Sequence, residues 1–401
     1  MSIKIFKYLL LFIPFFVLLY LESEDIGSLS FSQFWKIPLC LWLIAYIYKK
    51  KNKRSPVFVS LYYWLSLKHL LNPGFITNLI TCVKEGLKFT FLPLLYESFN
   101  NSKLKIITLQ KILIIVSQYF ILTNIPFIFG LMESRGTGLE YGELRAYSGI
   151  FQNQHAMSLI MSLSILVIIF FYKRGSFTSK FSKIYNLFLL LLGVYALYLS
   201  FARTGWLMCI LGVVLLFIPE KIKPKQIVIS MSALLLLCMG LNFMMKNNIA
   251  FRYRVLGINA ITNEQMDIGS GRGEYMKNAI DYWLQGSFLE LLIGRSKDGL
   301  LEYEYSKTRM HVGAHNGFID VLACNGVIGL VLFIVFLYSL FKFIRKRKIA
   351  SMYRLSLCMW MTFLSFQFTQ GGNIFHMDIL YALTYVILEK EYRQRSNNVI
   401  K

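Results

Sequence analysis

Two histidines at the start of an apolar run are the first residues of this sequence that could perform acid–base chemistry. The stretch "MHVGAHNGFIDVLACNGVIGLVLF" (310–333) places His311 and His315 four residues apart, and Asn316 follows directly. A neutral imidazole suits a general base, and a helix N-terminus disfavours the protonated ring. The pattern therefore predicts a neutral, basic His315; the alternative is a capping or interfacial histidine. A metal pair would need a third ligand, and no Glu lies between the two as in HExxH, so no metal is expected.

Two arginines form the second set of candidate residues. Arg203 lies in "LYLSFARTGW" between two apolar runs, and Arg272 begins "RGEYMKNAIDYWLQ" (272–285). A guanidinium group binds phosphate through two parallel hydrogen bonds. A cation at a helix N-terminus opposes the helix dipole, so an anionic group near Arg272 would compensate for it. The alternative for Arg203 is a turn arginine that reaches the membrane surface.

Three charged residues, Lys84, Glu85 and Lys88, interrupt the apolar stretch "TCVKEGLKFTF". If all three faced lipid, the cost of insertion would be on the order of 8–10 kcal/mol. They are therefore expected to face protein or water. Glu85 and Lys88 have the spacing of a structural ion pair. The alternative is that the three residues line a polar cavity, to which His311 and, near the outer end of the third span, Lys68 and His69 would contribute.

The elements that must position these residues are membrane helices. The sequence has 401 residues, 56% of them hydrophobic and only 16% charged. Apolar runs recur along the chain, and a hydrocarbon core of about 30 Å needs roughly 20 helical residues. We predict an all-α polytopic membrane protein whose spans are 5–21 (an uncleaved first span), 29–48, 56–71, 75–98, 106–131, 150–171, 184–201, 204–219, 226–246, 316–341, 352–370 and 374–388.

The distribution of charge explains the net charge of +22 and predicts the orientation. With the N-terminus inside, basic stretches such as "KKKNKR" (49–54) and "KFIRKRK" (342–348) fall inside, whereas the short outer loops contain Arg135, Arg145 and Arg203. This asymmetry is the positive-inside rule, so the basic loops are orientation signals and give no indication of nucleic-acid binding.

Three regions follow from this topology. Residues 1–246 form spans one to nine, residues 247–315 form one large outer loop, and residues 316–401 form spans ten to twelve and an inner tail. Within the outer loop, 272–285 is predicted to be an amphipathic helix with an apolar face made of Tyr275, Met276, Ala279, Ile280, Trp283 and Leu284. The six cysteines lie inside predicted spans, so disulfide bonds are not expected.

Four segments together resemble the bacterial O-antigen ligase and O-antigen polymerase superfamily. They are "LRAYSGIFQNQHAMS" (144–158), "LSFARTGW" (199–206), "GSGRGEYMKNAI" (269–280) and "AHNGFIDVLACNGVIGL" (314–330). Each is weak alone, but the four occur in order, and the long loop lies between spans nine and ten. One departure is Asn325, which stands where the family helix often has an acidic residue.

The resemblance implies a glycosyltransferase-C-like fold in the bacterial inner membrane with its site facing the periplasm. The implied donor is an undecaprenyl-pyrophosphate-linked oligosaccharide, and no metal or cofactor is implied. By motif, Arg203 and Arg272 would hold the pyrophosphate, Arg145 would contact donor or lipid phosphate, and Asn316 would assist in binding. His315 would deprotonate the acceptor hydroxyl.

The resemblance leaves the acceptor open. We predict a polymerase that joins repeat units, in contact with membrane lipid and with a protein that regulates chain length. The alternative is a ligase that transfers the glycan to lipid A–core. A transporter of lipid-linked sugars is a third reading, which the absence of an internal sequence repeat and the late, outer position of the longest loop disfavour.

Overall fold

The structure, a computed structural model, describes most of the chain. The described residues are 2–22, 25–26, 29–49, 55–70, 79–135, 140–141, 144–145, 147–151, 153–218, 239, 272–371 and 374–400. Side chains are described in these ranges except at 2–9, 25–34, 69–70, 79–85, 87–88, 140–145 and 399–400.

The described residues are almost entirely helical, as predicted. The helices are α1 Ser2–Leu21, α2 Phe31–Lys49, α3 Val57–Leu70, α4 Leu79–Asn101, α5 Ile106–Leu122, α6 Ile125–Ile128, α7 Gln154–Lys173, α8 Lys180–Leu199, α9 Arg203–Phe217, α10 Arg272–Leu284, α11 Phe288–Ile293, α12 Lys297–Thr308, α13 Gly317–Arg345, α14 Tyr353–Thr369 and α15 Phe375–Ile400. Two short antiparallel hairpins accompany them, β1 Asp25–Ile26 with β2 Leu29–Ser30, and β3 Glu140–Tyr141 with β4 Leu144–Arg145.

The apolar runs place the helices well. Each predicted span outside 226–246 coincides with a helix, and 226–246 lies outside the described residues apart from Met239. Among the described helices, four are long and apolar enough to cross a membrane: Ile106–Ile128, Gln154–Lys173, Lys180–Leu199 and Gly317–Arg345. The protein is thus an all-α membrane protein, and the number of twelve spans stays a prediction. The last helix extends beyond the predicted span end at 388, because α15 continues to Ile400.

Burial separates central helices from lipid-facing ones. In α7, 78% of the residues in the most apolar stretch are buried, and the helix packs against α5, α8 and α9. In α8 the corresponding share is 33%, and its exposed apolar residues recur at helical spacing: Ile184, Leu187, Leu191 and Val194. An exposed apolar stripe of this kind is expected where a helix faces hydrocarbon rather than protein.

Contacts at the two ends of the bundle agree with helices that alternate in direction. At one end, the Lys390 ammonium group in α15 donates to the carbonyl oxygen of Ser102 after α4, at 3.0 Å. At the other end, His376 Nε2 in the first turn of α15 lies 2.8 Å from a carboxylate oxygen of Glu22 after α1. Therefore the C-terminal end of α1 and the N-terminal end of α15 lie at one end of the bundle. The C-terminal end of α4 lies beside the later part of α15 at the opposite end, as the predicted topology requires.

Helix α13 is broken at Gly326, whose φ of 66° and ψ of −171° are not helical. The backbone of the α11 segment lies against the break, and a Cβ added to Gly326 would come within 2.3 Å of the Leu292 carbonyl oxygen. The Arg295 N–H donates to the Ala323 carbonyl oxygen at 3.1 Å and so satisfies a group near the break. Glycine is needed here because the residue must combine a positive φ with a close backbone approach.

The described part of the predicted outer loop, residues 272–315, folds as three helices, α10 to α12. The predicted amphipathic helix is present as α10, but its buried face is shifted from the prediction. Ala279 and Tyr282 are buried and Met276 and Trp283 are partly buried, whereas Leu284 is 57% exposed. The reason is that α10 packs against both α12 and the first half of α13. These contacts turn Tyr282 inwards and leave Leu284 outside.

The predicted orientation can be checked with reporter fusions. A reporter that is active only outside the cytoplasm should give signal after residue 290 and no signal after residue 347, because the Lys and Arg of 342–348 anchor that loop inside. The measurement is reporter activity in whole cells, normalised to the amount of fusion protein. Signal after residue 347 with none after residue 290 would contradict the assigned orientation.

Candidate functional site

His315 lies in the turn just before α13 and has a left-handed backbone conformation with φ of 51°. The following residue, Asn316, is the N-cap of α13, and its side-chain oxygen accepts from the N–H groups of Phe318 at 3.0 Å and Ile319 at 3.2 Å. A cap of this kind is worth about 1 kcal/mol. His315 thus lies two residues before the first residue of α13, next to the N-cap residue, close to where the sequence predicts it.

A carboxylate holds the turn before His315 in place. One oxygen of Asp320, in the first turn of α13, accepts from the Ala314 N–H at 3.1 Å and from the Lys297 ammonium group at 3.0 Å. Lys297 is the first residue of α12, so the bond also ties the outer helices to α13. Beneath it lies a small core of Ala279, Tyr282, Leu300, Ala314, Ala323 and Cys324. The histidine-bearing turn is therefore fixed from two sides.

Arg272, the first residue of α10, contacts the C-terminal end of α14. Its guanidinium group donates to the Thr369 carbonyl oxygen at 3.0 Å. The last carbonyl groups of a helix lack intrahelical partners and carry the negative end of its dipole. The sequence predicts that a negatively charged group compensates the cation at the N-terminus of α10. The partial negative charge of the Thr369 carbonyl oxygen, at the C-terminal end of α14, is one group that does so. The Asn316 amide donates to the neighbouring Phe368 carbonyl oxygen at 3.3 Å.

Arg272 and His315 are close enough to interact electrostatically. Burial lowers the pKa of His315 below its ordinary value of 6.5, and the positive charge of Arg272 lowers it further. The side chain of Gln370 and the negative charge of Asp320 raise the pKa of His315, but they do not reverse the shift. The net effect favours the neutral form of His315, and its two largest causes are burial and the charge of Arg272. The Tyr275 ring lies 5.7 Å from the imidazole, centroid to centroid.

Arg203 lies at the same end of the bundle, as the packing of α9 shows. The Cys358 thiol in α14 is 3.4 Å from the Gly212 carbonyl oxygen, and the Arg354 guanidinium donates to Ile218 at the far end of α9, so the two helices are antiparallel. The contact between Gly212 and Cys358 serves as a common level in the two helices. At 1.5 Å per residue, Arg203 lies about 14 Å from this level along α9, and Thr369 lies about 17 Å from it along α14 in the same direction. Arg203 is exposed and lies at nearly the level of the Thr369 carbonyl.

Two residues that the sequence did not single out join this site. Gln370, the residue after α14, has its side-chain nitrogen 3.2 Å from His155 Nδ1 in the first turn of α7, and it also influences the pKa of His315. Helix α7 runs parallel to α9, because Ser162 donates to the Gly205 carbonyl oxygen at 2.7 Å and Lys173 contacts the other end of α9. The one available signal was a polar "TQGG" directly after an apolar helix.

The remaining predicted residues are placed elsewhere or lie outside the description. His311 is exposed, stacks on the Tyr305 ring at 4.3 Å, and has Nδ1 3.9 Å from a Glu302 oxygen. It is thus engaged with α12, and no contact joins it to His315 among those that the structure describes. Arg145 belongs to β4, and Lys84, Glu85 and Lys88 belong to α4; the predicted roles of these four side chains fall outside the described residues.

Glu22 is the first residue of the acidic stretch "ESED" (22–25) that follows the first predicted span. Burial would raise its pKa, but His376 and Lys36 outweigh burial and lower the pKa of Glu22 to about 2. The carboxylate therefore serves to link α1, α2 and α15. Within the ranges that the structure describes, no group of three His, Cys, Asp or Glu side chains is arranged to hold a metal ion.

The described residues form an all-α membrane protein in which three helices, α10 to α12, pack against α13 close to the turn that bears His315. Residues 188–334 match the family model described as O-antigen ligase. The match contains Arg203, Arg272 and His315, and it confirms the resemblance to the O-antigen ligase and polymerase superfamily that the motifs predicted. No curated protein is significantly similar in sequence to the chain.

The electrostatic link between Arg272 and His315 can be measured directly. In Arg272→Gln, the pKa of His315 should rise towards 6.5, because the neighbouring positive charge is removed. The measurement is an NMR titration of labelled histidine in detergent-solubilised protein, with His315→Ala used to assign the signal. The matched control is Arg309→Gln, whose guanidinium lies over Tyr305, 5.9 Å from the ring centre. An unchanged His315 titration in Arg272→Gln would contradict the assigned cause.

Proposed function

We propose that this protein polymerises undecaprenyl-pyrophosphate-linked oligosaccharide repeat units at the periplasmic face of the bacterial inner membrane. The observation that carries the proposal is the pairing of a neutral His315 with Arg272 at the carbonyl end of α14, within the segment that matches the O-antigen ligase family. A base and a fixed cation are the two groups that transfer of a glycan from a pyrophosphate carrier needs.

The proposed step is a displacement at the anomeric carbon of the donor. His315 accepts the proton of an acceptor hydroxyl as its oxygen attacks this carbon. A new carbon–oxygen glycosidic bond forms, the bond from the anomeric carbon to the pyrophosphate oxygen breaks, and the electron pair leaves with the lipid pyrophosphate. A general base needs an accessible lone pair at working pH, and the lowered pKa of His315 supplies it.

The leaving pyrophosphate carries several negative charges, so the site must supply cations. Arg272 and Arg203 are assigned to the pyrophosphate, and Arg145 to donor or lipid phosphate. Each charge-assisted hydrogen bond contributes roughly 1.5–3 kcal/mol. Arginine supplies this charge without a metal ion, and the contact of Arg272 with Thr369 fixes the direction of its planar group before substrate binds. Metal-independent transfer in a glycosyltransferase-C-like fold is therefore part of the proposal.

Membrane placement fits the proposed substrate. The lipid carrier would remain in the bilayer, where α8 and other helices expose apolar faces, and its pyrophosphate would lie at the level of Arg203. A protein that sets chain length is the expected partner of such a polymerase.

The second candidate is a ligase that transfers the completed glycan to lipid A–core. The description of the matched family favours it, since that family is named for O-antigen ligase. Both reactions use the same donor and the same base, and they differ in the acceptor hydroxyl. Incubation of the purified protein with lipid-linked repeat units alone separates them: a ladder of longer lipid-linked glycans supports the polymerase, and transfer only after addition of lipid A–core supports the ligase.

The proposed pyrophosphate contacts can be tested by substitution. Arg203→Ala and Arg272→Ala should each abolish long-chain glycan while the protein still inserts into the membrane. Arg→Lys should restore product only partly, because an ammonium group lacks the bidentate geometry. The measurement is the glycan ladder on a gel, with Arg309→Ala as the control arginine from the same outer layer. Normal ladders in both alanine variants would remove the pyrophosphate role.

The assignment of the base predicts a difference between the two histidines. His315→Ala should lower turnover by about 10²–10⁴-fold, the usual cost of losing a general base, with donor binding near normal. His311→Ala should cost far less, because that ring stacks on Tyr305 at the surface. Turnover of the wild type should fall as the pH drops through the pKa of His315. Wild-type turnover in His315→Ala, or loss of turnover only in His311→Ala, would show that His315 is not the base.

A further inference from the structure

Helix α11 exposes large apolar side chains although it belongs to the predicted outer loop. Phe288 is 78% exposed and Leu289 is 60% exposed, and Leu284, the last residue of α10, is 57% exposed. We call these three residues the apolar tip. Neighbouring large apolar side chains that stay exposed mark contact with a membrane or with another protein. The apolar tip therefore requires an explanation of what covers it.

The depth of α11 in the membrane follows from its contact with α13. The backbone at Leu292 lies against the break in α13, where a Cβ added to Gly326 would come within 2.3 Å of the Leu292 carbonyl oxygen. Helix α13 is long and apolar enough to cross a membrane, and Lys342 begins the basic stretch at its inner end. At about 1.5 Å per residue, Gly326 lies about 24 Å from Lys342. A hydrocarbon core is about 30 Å thick, so α11 meets α13 roughly 6 Å inside its outer boundary.

The helices that support α11 expose apolar side chains next to it. On α13, Val327 and Ile328 directly after the break are exposed. On α3, Trp64 and Leu67 are exposed, and the next residue, Lys68, contacts the C-terminal end of α11. Exposed apolar side chains on a membrane helix are expected where it faces hydrocarbon. The apolar tip thus belongs to a helix whose two supports face lipid.

The carbonyl groups at the end of α11 have donors that do not depend on water. The Trp283 indole N–H donates to the Leu291 carbonyl oxygen at 3.1 Å, and the ammonium group of the buried Lys68 donates to the Ile293 carbonyl oxygen. The other end of α11 has a complete capping box. In hydrocarbon every backbone polar group needs a protein partner, and an ionisable side chain within a membrane segment is usually paired. Lys68 and the carbonyl end of α11 meet both needs at once.

We propose that α11 is inserted into the outer leaflet of the membrane, with its apolar tip against the acyl chains of lipid and its C-terminal end closed by Lys68. The inference is independent of the proposed reaction. It also sets the depth of the site. Gly317, the first residue of α13, lies about 14 Å before Gly326, so the turn that bears His315 lies roughly 8 Å outside the hydrocarbon core, at the level of the lipid headgroups.

Fluorine NMR can measure the surroundings of the apolar tip. Trifluoromethyl-phenylalanine is introduced in place of Phe288, and the full chain is reconstituted in vesicles of phosphatidylethanolamine and phosphatidylglycerol. Lipid with a nitroxide near the start of its acyl chain should broaden the signal strongly, and a water-soluble gadolinium chelate should broaden it little. The matched control is the same label at Tyr305, an exposed aromatic residue of α12, where the gadolinium chelate should broaden more than the lipid nitroxide.

Two outcomes of this measurement would overturn the proposal. Broadening of the label at position 288 by the gadolinium chelate as strongly as at position 305 would place the apolar tip in water. Broadening at position 288 by neither reagent would show that a second copy of the chain covers the tip. The same label in place of Leu289 decides the matter if the Phe288 variant does not accumulate in the membrane.

The closing role of Lys68 can be tested by hydrogen exchange. Lys68→Met keeps a long apolar side chain but removes the donor to the Ile293 carbonyl oxygen, so the amide groups of residues 288–294 should exchange faster in membrane-embedded protein. Lys105→Met is the control, because it removes an exposed lysine before α5 and should leave this segment unchanged. Equal exchange of residues 288–294 in the wild type and Lys68→Met would refute this role of Lys68.

Discussion

The site depends on the close approach of two backbones, at Gly317 in the first turn of α13 and at Gly371 after α14. A Cβ on Gly317 would lie 2.1 Å from the Gln367 side-chain oxygen, and a Cβ on Gly371 would lie 2.7 Å from the Gly317 nitrogen. Gly371 also has a φ of 73°, which favours glycine. Because no side chain separates the two segments, the turn that bears His315 lies directly beside the carbonyl end of α14. Arg272 and Gln370 reach His315 only because this contact exists.

The carbonyl end of α14 then organises the polar groups around it. The Phe368 carbonyl oxygen accepts from Asn316 and the Thr369 carbonyl oxygen accepts from Arg272, and the side-chain nitrogen of the next residue, Gln370, lies 3.2 Å from His155 Nδ1. The last carbonyl groups of a helix need donors and attract cations. The Thr369 carbonyl oxygen therefore supplies partial negative charge to the Arg272 guanidinium group.

Sequence reasoning was reliable where local physics decides and failed where packing decides. Apolar runs located the helices, and the charge and polar spacing selected Arg272 and His315, because insertion energy and helix termini are properties of short segments. The predicted buried face of α10 was wrong at two positions, since Tyr282 is buried and Leu284 is exposed. The reason is that α10 packs against both α12 and α13. Gln370 could not be found, since the spacing of His155, His315 and Gln370 along the chain carries no period. These residues come close because α7 runs parallel to α9 and α14 runs antiparallel to α9, so the first turn of α7 meets the last turn of α14.

On the proposed mechanism, one cation controls both the base and the leaving group. With the site empty, the charge of Arg272 adds to burial and holds the pKa of His315 below its ordinary value. A bound pyrophosphate would neutralise that charge, and the pKa of His315 would then rise because the repulsion of its protonated form is reduced. The imidazole thus becomes a stronger base when the donor is in place, and it is a weaker one when the donor is absent.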